Sequence, residues 1–442
     1  MRGVPLSGYD VVMSAFPQDA VIQACSVKAA MRILYLTQWF EPEPAFKGLA
    51  FARALVERGH EVEVVTGFPN YPIGKVYPGY RVRAYQREVI DGIVVHRVPL
   101  YPSHDRSSFR RGLNYISFSL SAAIFCAVHA RRFDVIYAYP PITGGMAAVF
   151  AGTIARKPFI IDIQDLWPDS VVKSGMPGTH RIGGFLDRLC NFVYRRATRI
   201  VSQSVGIKKR LIDRGVPEGK IVVIYNWADE QAAAPAGLCD LAPYEFAGRF
   251  NIVYGGNIGR VQGLDTLVRA AHIARQQVPH LQLLVIGNGI EEDNLKKLVD
   301  ELKATNVRIA PSVPRTQIGD VFAAADVLAL HLWNDPLFEI TIPQKTQFYM
   351  AMGKPVLIGV LGEAAEFVTQ AGAGIAVVPQ DVDAMVSAMV RFATLSPETL
   401  AEMGRRAREA YVRDFLFAKA ITATEEVSRQ AIEVWRGAKN AA

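Results

Sequence analysis

FNIVYGGNIGRVQGLDTLVRAA, residues 250–271, is the stretch of sequence that decides the fold. An apolar run typical of a strand ends in Gly255 and Gly256, glycines follow at 259 and 263, and an amphipathic helix then begins. A strand, a glycine-rich turn and a helix in this order are typical of a Rossmann-like unit, in which parallel strands alternate with helices. The stretch therefore predicts an α/β protein with a ligand site at the carboxyl end of this strand.

The same alternation continues along the chain on both sides of this stretch. The predicted strands before it are RILYLT (32–37), EVEVVTG (61–67), VVHRVP (94–99), FDVIYAY (133–139), FIIDIQD (159–165) and RIVSQS (199–204). FNIVYGG (250–256) opens a second series, which continues with LQLLVIGNG (281–289), VRIAPSV (307–313), DVLALHL (326–332), PVLIGV (355–360) and GIAVVP (374–379). The pattern predicts two doubly wound parallel sheets, one in each half of the chain.

Composition indicates where these units begin and end. The first 30 residues lack the cationic start and continuous apolar core of a signal peptide, so residues 1–30 are predicted to be a disordered leader. An Ala/Pro/Gly-rich segment at 231–248 has the composition of a linker. The predicted domains are therefore 31–230 and 249–415, and a terminal helix within 416–442 is expected to pack back on the first domain.

Charge and cysteine content restrict the compartment and the partners. The net charge is +10 over residues 31–230 and −3 over residues 231–442. The first half therefore either meets an anionic partner or carries an ordinary solvated basic surface. The four cysteines lie far apart, without CxxC or metal-ligand spacing, and are interpreted as reduced thiols of a cytosolic protein.

The most apolar run of the first half is LNYISFSLSAAIFCAV, residues 113–128. Its sixteen residues are fewer than the roughly 20 that a membrane span needs. Arginines flank it on both sides, at positions 110, 111, 131 and 132. A buried core helix and an interfacial helix lying among lipid headgroups both remain open, whereas a transmembrane anchor is disfavoured.

Three loops of the second half fall where strands are predicted to end. The first is the glycine turn after residue 255, which does not follow GxGxxG and has no acidic ribose ligand about 20 residues later, so a nicotinamide site is disfavoured. Gly287 and Gly289 form the second, which suits either a flat base or an ordinary helix start. The third is the polar helix start after Pro343. Two helix starts that converge on one point predict a diphosphate site.

These segments together resemble a known family. GNIGRVQGLDTL, the Gly287–Gly289 turn, the run from Glu339 to Lys345 and AMGKPVL resemble the retaining nucleotide-sugar glycosyltransferases of family 4. ERGHEVEVVTGFPNYPIGKVYPGY (57–80) and DIQDLWPDS (162–170) are similar to the N-acetylfucosaminyltransferase subgroup of bacterial surface-polysaccharide enzymes. The resemblance implies a GT-B fold, in which two Rossmann-like domains face each other across a cleft and the second binds most of the donor.

The resemblance also implies a role for individual residues. Glu339 corresponds to the glutamate that touches the donor sugar, and Asp165 lies near the reacting carbon. The implied diphosphate-binding residues are Gly256, Asn257, Arg260, Gln262, Gly263, Lys345 and Lys47. The implied nucleoside-binding residues are Gly287, Gly289 and Gln347. Removal of Arg260 or Lys345 is expected to lower the rate by about 10²-fold, as for comparable oxyanion donors.

Several positions depart from the family pattern. Asn257 and Gln262 stand where the family usually has Arg and Lys, which leaves Arg260 as the cation of this loop. Gln347 occupies the second-glutamate position by strict spacing, and Phe348 stands where the subgroup has its glutamate. Gln164 stands at the position of the histidine that many relatives use, so no catalytic base is assigned.

The resulting hypothesis is a glycosyltransferase that moves a sugar, an N-acetylated or deoxy hexose, with retention from a UDP-sugar to a lipid-linked saccharide. The basic first domain, with Arg106, Arg110 and Arg111, would meet the anionic inner face of the cytoplasmic membrane as a peripheral protein. No cofactor, metal or nucleic acid is expected, and the DxD at 381–383 is interpreted as a helix cap. The alternatives are a non-hydrolysing sugar-nucleotide epimerase and a degenerate GT-B subunit that only binds nucleotide or a partner.

Overall fold

The computed structural model describes residues 29–104, 107–169 and 179–440. The predicted leader lies outside the described residues up to position 28, and so does Arg106. The described chain forms two compact units. The amino-terminal unit combines the chain up to Ile224 with the chain from Ile421 onward, and the carboxy-terminal unit is Tyr225–Ala420.

A single eight-stranded sheet organises the described part of the amino-terminal unit. Its strands are β1 (Arg32–Leu36), β2 (Glu61–Gly67), β3 (Gln86–Ile90), β4 (Ile93–Val98), β5 (Val135–Ala138), β6 (Phe159–Ile163), β7 (Arg199–Ser202) and β8 (Ile221–Val223). They follow the order β3-β4-β2-β1-β5-β6-β7-β8. All neighbours are parallel except β3, which pairs with β4 in antiparallel register. The predicted doubly wound α/β sheet is therefore confirmed for this unit.

Helices connect these strands and cover the sheet. They are α1 (Leu49–Glu57), α2 (Ser108–His129), α3 (Ile142–Ala155), α4 (Thr179–Arg196) and α5 (Val205–Asp213). The crossovers that contain α2, α3 and α4 all lead toward β7, in the direction opposite to the crossover of α1. Because such crossovers are right-handed, α2, α3 and α4 lie in one layer and α1 lies on the other face.

The carboxy-terminal unit repeats this architecture with a parallel sheet of six described strands. They are β9 (Phe250–Gly255), β10 (Leu281–Ile286), β11 (Val307–Ala310), β12 (Val327–His331), β13 (Val356–Gly359) and β14 (Gly374–Ala376), in the order β11-β10-β9-β12-β13-β14. Its helices are α6 (Leu264–Ala274), α7 (Glu292–Leu302), α8 (Ile318–Ala323), α9 (Pro336–Glu339), α10 (Gln344–Ala351), α11 (Glu363–Gln370), α12 (Val382–Ala393) and α13 (Pro397–Asp414). Buried apolar clusters fill both faces of the sheet.

The terminal helix α14 (Phe417–Asn440) returns to the amino-terminal unit, as predicted. Arg58 donates to the Thr422 hydroxyl over 2.7 Å and pairs with Glu425 at 3.3 Å. Further along the helix, the Trp435 indole N–H donates to the carbonyl of Arg156 over 3.2 Å. These polar contacts hold α14 against the amino-terminal unit.

The segment predicted as a linker, residues 231–248, belongs to the compact carboxy-terminal unit. The Asp320 carboxylate accepts four backbone N–H groups of this segment, from residues 236–239, over 2.6–2.9 Å. Burial alone would raise the pKa of Asp320, but these N–H donors hold it below its usual value. The Ala/Pro/Gly-rich composition therefore corresponds to a fixed irregular segment, and the two units divide at Ile224 and Tyr225.

Candidate functional site

The carboxyl ends of β9 and β10 meet with almost no space between their backbones. A Cβ on Gly287 would lie 1.8 Å from the carbonyl oxygen of Gly256, and a Cβ on Gly289 would lie 2.1 Å from that of Ile258. Distances under 3.0 Å to backbone atoms exclude any side chain at these two glycines. The structure therefore brings the two predicted glycine turns together at one edge of the sheet.

The start of α10 reaches the same edge. A Cβ on Gly256 would lie 2.5 Å from Cε and 2.9 Å from Nζ of Lys345. The glycine turn and the first turn of α10 thus lie side by side, as the sequence predicts for a diphosphate site. No side chain caps the start of α10, which leaves the positive end of the helix dipole available to an anion.

Lys345 is the dominant charge of this edge. Its Nζ donates to the Tyr254 hydroxyl over 2.7 Å and lies 4.4 Å from the centre of the Tyr254 ring. Among the described residues no carboxylate pairs with this ammonium group, and its burial lowers the pKa of Lys345 to about 8. An anionic ligand would supply the missing partner and restore the charged form.

Gly256 and Gly263 leave space for neighbouring side chains, but their N–H groups are not available as donors to a ligand. The N–H of Gly256 already donates to Ile286 over 2.8 Å, and the N–H of Gly263 donates to Arg260 over 3.1 Å. Both N–H groups are therefore engaged within the fold, and the predicted part of these two glycines in diphosphate binding stays a prediction. Without side chains, Gly256 leaves room for Lys345 and Gly263 leaves room for the ring of His331.

The outer part of the loop is polar and exposed. The Asn257 side-chain amide donates to the Gln262 side-chain oxygen over 3.4 Å. Arg260 is 72% exposed, and its Nε donates to the Glu291 carboxylate over 3.0 Å. An open groove of about 390 Å³ lies beside Arg260 and Glu291, between the starts of α6 and α7. Arg260 therefore lies at a solvent-exposed edge with its charge partly neutralised.

Gln347 does not face this edge. Its side chain is fully buried, and with the nitrogen turned toward the helix start it donates to the carbonyl of Pro343 over 2.8 Å. The neighbouring Phe348 packs edge-on against Phe322 with ring centres 5.8 Å apart. Both side chains support the helix start, and the buried position of Gln347 argues against its predicted contact with a nucleoside.

Glu339 is exposed at the end of α9. Its backbone is held close to the turn before α11, because a Cβ on Gly362 would lie 2.0 Å from the carbonyl oxygen of Glu339. Gly362 also has φ +76, which disfavours other residues. The fold thus fixes the backbone of Glu339 and leaves its carboxylate accessible to a ligand.

His331, at the end of β12, is a site residue that the sequence analysis did not identify. Its fully buried ring donates from Nδ1 to the carbonyl of Gln262 over 2.8 Å and accepts at Nε2 from the backbone N–H of Gln380 over 2.9 Å. A Cβ on Gly263 or on Gly359 would lie 2.9 or 2.5 Å from this ring. The imidazole therefore fixes the end of the glycine loop to the sheet, and burial lowers its pKa.

In the amino-terminal unit, Lys47 is fully buried and pairs with Asp162. The same carboxylate accepts from the Tyr137 hydroxyl and from the Gln164 side-chain amide, each over 2.6 Å. Because a carboxylate already neutralises Lys47 inside the protein, this placement argues against the predicted contact with donor phosphates. Gln164, at the family's histidine position, orients Asp162 in this network.

Asp165 follows β6 in the same unit. It lines a small pocket together with Pro141, Trp167 and Tyr194. Surrounding protein desolvates the carboxylate and raises the pKa of Asp165 above its usual value. A carboxyl group with a raised pKa in a pocket is a candidate for proton transfer or for contact with a sugar.

Within the described ranges no group of three or more His, Cys, Asp or Glu side chains is arranged to hold a metal ion. Asp381 caps α12, as predicted, and accepts the N–H of Ala384 over 2.9 Å. Metal independence stays a prediction. Three cysteines fall in the described part of the chain and all are unpaired thiols.

Comparisons with known proteins match both units. The glycosyl transferase 4-like domain family matches residues 49–227, and the glycosyl transferases group 1 family matches residues 249–394. WcaI of Escherichia coli (strain K12), a glycosyl transferase named for colanic acid biosynthesis, is 26% identical over 365 residues, which are 78% of this chain and 86% of that protein.

Solved structures share the fold at low identity. HepE of Anabaena, crystallised with UDP, has a TM-score of 0.63 at 17% identity over 90% of this chain and 99% of its own. WaaG, a glycosyltransferase involved in lipopolysaccharide biosynthesis, has a TM-score of 0.61 at 13% identity over 89% of this chain and 99% of its own.

The two domain matches follow each other along the chain, and each falls on one of the two parallel sheets. The chain therefore has the GT-B fold, and each of its two halves is similar to a glycosyltransferase domain family.

Proposed function

We propose that this protein transfers a sugar with retention from a UDP-sugar to a lipid-linked saccharide during surface-polysaccharide biosynthesis. The sugar we propose is an N-acetylated or deoxy hexose. The reaction would take place at the cytoplasmic face of the membrane, to which the protein binds peripherally. WcaI is named for colanic acid biosynthesis and WaaG for lipopolysaccharide biosynthesis, and HepE was crystallised with UDP. These names support the proposal by similarity.

The observation that carries the donor assignment is the ammonium of Lys345 beside Gly256, which no carboxylate among the described residues neutralises. A half-buried cation without a described carboxylate partner, next to an uncapped helix start, suits a ligand with two adjacent negative charges. The diphosphate of a nucleoside diphosphate has this charge arrangement. The nucleoside would then extend along the neighbouring Gly287–Gly289 turn, whose backbone packs directly against that of Gly256 and Ile258.

In this proposal the bond between the anomeric carbon and the diphosphate oxygen breaks, and a bond to the acceptor hydroxyl oxygen forms on the same face of the sugar. UDP leaves, and the hydroxyl proton passes to the departing phosphate oxygen. Negative charge develops on the diphosphate during this step. A preset cation such as Lys345 stabilises that charge more in the transition state than in the ground state.

Two carboxylates are assigned to the sugar. Glu339 is exposed on a backbone that Gly362 fixes, so it can accept hydrogen bonds from sugar hydroxyls. Asp165 lines a pocket in the amino-terminal unit and has a raised pKa. We assign Asp165 to the acceptor hydroxyl or the reacting carbon, because its carboxyl group lines a pocket and desolvation there favours the protonated form more than in water.

The test is UDP release from a panel of UDP-sugars, measured with and without lipid-linked acceptors and followed by analysis of the sugar product. Acceptor-dependent UDP release with an α-configured donor and product would support the proposal. An inverted product would contradict retention. Absence of UDP release from every UDP-sugar of the panel would contradict the donor assignment.

The same measurement separates the two alternative functions. A sugar-nucleotide epimerase would return a nucleotide sugar with altered stereochemistry and would need no acceptor. A degenerate subunit would bind UDP without turnover, and the buried Gln347 and the packed Phe348 are the features that favour it. Either result would overturn the proposed transferase activity.

A further inference from the structure

Helix α2 of the amino-terminal unit exposes a row of apolar side chains and directs several polar side chains into the protein, the reverse of a normal surface helix. Six large apolar residues of this helix are exposed and recur every three or four positions, so they form one ridge along the helix. We call this set the α2 ridge: Phe109, Leu113, Ile116, Leu120, Ile124 and Val128. These side chains are between 37% and 74% exposed. The ridge extends about 29 Å at 1.5 Å per residue.

The polar residues of α2 point into the protein. Asn114 is buried, accepts from the Gln38 amide over 2.6 Å and donates to the Tyr101 carbonyl over 2.7 Å. Ser119 donates to the Thr143 carbonyl over 2.7 Å, and Ser121 donates to the Pro99 carbonyl over 2.6 Å. These bonds fix the rotation of the helix, so its apolar face is necessarily turned outward.

The neighbouring helices of the same layer extend this surface. α2 packs on α3, and α3 packs on α4. Large apolar side chains are more than two-fifths exposed on both neighbours, at Phe150, Ile154, Phe185 and Phe192. The printed sequences of α2 and α3 contain no Asp or Glu. An exposed apolar surface of this extent marks an interaction site.

The charges around the ridge favour an anionic lipid surface as its occupant. Arg110 and Arg131 are exposed near the two ends of α2, and α4 carries Arg188, Arg195 and Arg196 against a single acidic residue, Asp187. Aliphatic and aromatic side chains with arginines at the border match the acyl chains and phosphates of a bilayer surface. The net charge of +10 over residues 31–230 acts in the same direction.

The hydrogen bonds of α2 determine the orientation that this helix can adopt at a membrane. The segment Phe109–Arg132 is long and apolar enough to cross a membrane, and it is the one such helix in the described ranges. A spanning helix would have to release the hydrogen bonds that Asn114, Ser119 and Ser121 make to the rest of the unit, and their polar groups would then lack partners in hydrocarbon. The helix therefore suits an orientation parallel to the membrane plane.

We infer that the α2 ridge inserts in the plane of an anionic lipid bilayer and that exposed arginines at its border contact the phosphates. This inference rests on the proposed function for its biological purpose, since a lipid-linked acceptor would be presented at that surface. It goes further by naming the docking residues and the orientation. The geometry that supports it belongs to the amino-terminal unit alone.

The experiment is co-flotation of the full chain with vesicles of phosphatidylcholine alone or of equal parts phosphatidylcholine and phosphatidylglycerol. The wild-type protein is expected to float with the mixed vesicles. The Leu120→Ser/Ile124→Ser variant is expected to bind at least about tenfold more weakly, because two buried aliphatic contacts are lost. The matched control is Val89→Ser, which alters an exposed apolar residue on β3, outside the ridge.

A second variant, Arg110→Gln/Arg131→Gln, tests the charge contribution. Its affinity for the mixed vesicles is expected to fall by at least about tenfold, and the effect of added salt on that binding should become smaller, because two of the border arginines are removed. Far-ultraviolet circular dichroism and thermal unfolding verify that each variant is folded. Light scattering without lipid measures the oligomeric state of the wild type and of the ridge variant.

Absence of flotation, or equal flotation of the wild type and the Leu120→Ser/Ile124→Ser variant, would overturn the inference. A wild-type dimer that the ridge variant abolishes would also overturn it, because a second copy of the chain would then cover the ridge. Failure of the proposed function is recognised separately. Flotation with no UDP release from any UDP-sugar contradicts the transferase activity and leaves the membrane contact intact.

Discussion

Each unit places a lysine next to aromatic rings, and the two lysines differ in what neutralises them. Lys47 lies 5.6 Å from the centre of the Tyr139 ring and pairs with the buried carboxylate of Asp162. Lys345 lies 4.4 Å from the centre of the Tyr254 ring, and among the described residues it has a hydroxyl but no carboxylate for a partner. A carboxylate neutralises the first charge within the protein, whereas among the described residues no carboxylate neutralises the second.

This difference distinguishes a structural cation from a binding cation of the same residue type. Lys47 is expected to matter for stability, because its loss leaves a buried carboxylate without compensation. Lys345 is expected to matter for diphosphate binding and for catalysis. Four predictions test this distinction, in order of decreasing effect.

The largest effect is expected for Lys47→Met. Removing one partner of a buried ion pair lowers the free energy of unfolding by about 3–5 kcal/mol. Urea denaturation of the purified variant measures this loss. The double variant Lys47→Met/Asp162→Asn is expected to recover part of it, because the uncompensated charge is removed. A loss below about 1 kcal/mol, as for an exposed pair, would show that Lys47 is not a structural cation.

The second prediction concerns turnover. Lys345→Ala is expected to lower kcat/KM for the UDP-sugar by about 10²-fold, because the cation that faces the departing diphosphate is lost. Lys354→Ala is the matched control. Lys354 lies just before β13 in the same unit, and it donates to the Ala325 carbonyl over 2.8 Å. If both variants lose activity equally, the effect is not specific to the site formed by Gly256 and Lys345.

The third prediction is a pH dependence of UDP binding. Burial lowers the pKa of Lys345 to about 8 in the free protein, so its ammonium loses a proton above that pH. A bound diphosphate raises this pKa, so binding takes up a proton and the affinity decreases as the pH rises. Between pH 8 and 9.5 the affinity is expected to fall about tenfold. Lys345→Arg stays charged and should bind UDP with little change over this range; a parallel decrease in both proteins would assign the titration to another group.

The smallest effect is expected for Arg260. It is 72% exposed and shares its charge with Glu291, so Arg260→Ala is expected to weaken UDP binding by about threefold, well below the loss that the sequence alone suggests. Glu291→Gln should strengthen binding slightly, since it releases the guanidinium. Calorimetric titration measures both variants. If Arg260→Ala weakened UDP binding by about 10²-fold, Arg260 would contribute as much to the site as Lys345, contrary to this prediction.

Much of the fold was predictable because each buried strand is a short apolar run between turn residues. Twelve of the fourteen strands in the described ranges overlap a predicted run, and the exceptions are β3 and β8. β3 is an antiparallel edge strand with alternating exposure, and β8 has only three residues. Their formation depends on pairing with a neighbour, a tertiary effect that local hydrophobicity does not report.

Residues of the candidate site were predictable at positions where close contacts leave no room for a side chain and so require glycine. Gly256, Gly287 and Gly289 are places where any side chain would collide with Lys345 or with backbone, so their identities follow from local geometry. The environments of Lys47 and Gln347 were not predictable, since nothing in the neighbouring sequence indicates that these polar side chains are buried. His331 was missed because its partners, Gln262 and Gln380, lie far from it in sequence.

The most direct test of the central claim is calorimetric titration of UDP and of uridine into the wild type, Lys345→Ala and Lys354→Ala at neutral pH. We expect Lys345→Ala to bind UDP at least about tenfold more weakly with unchanged uridine affinity, and Lys354→Ala to resemble the wild type. Equal UDP affinity in the wild type and Lys345→Ala would contradict a diphosphate site at the edge formed by Gly256 and Lys345.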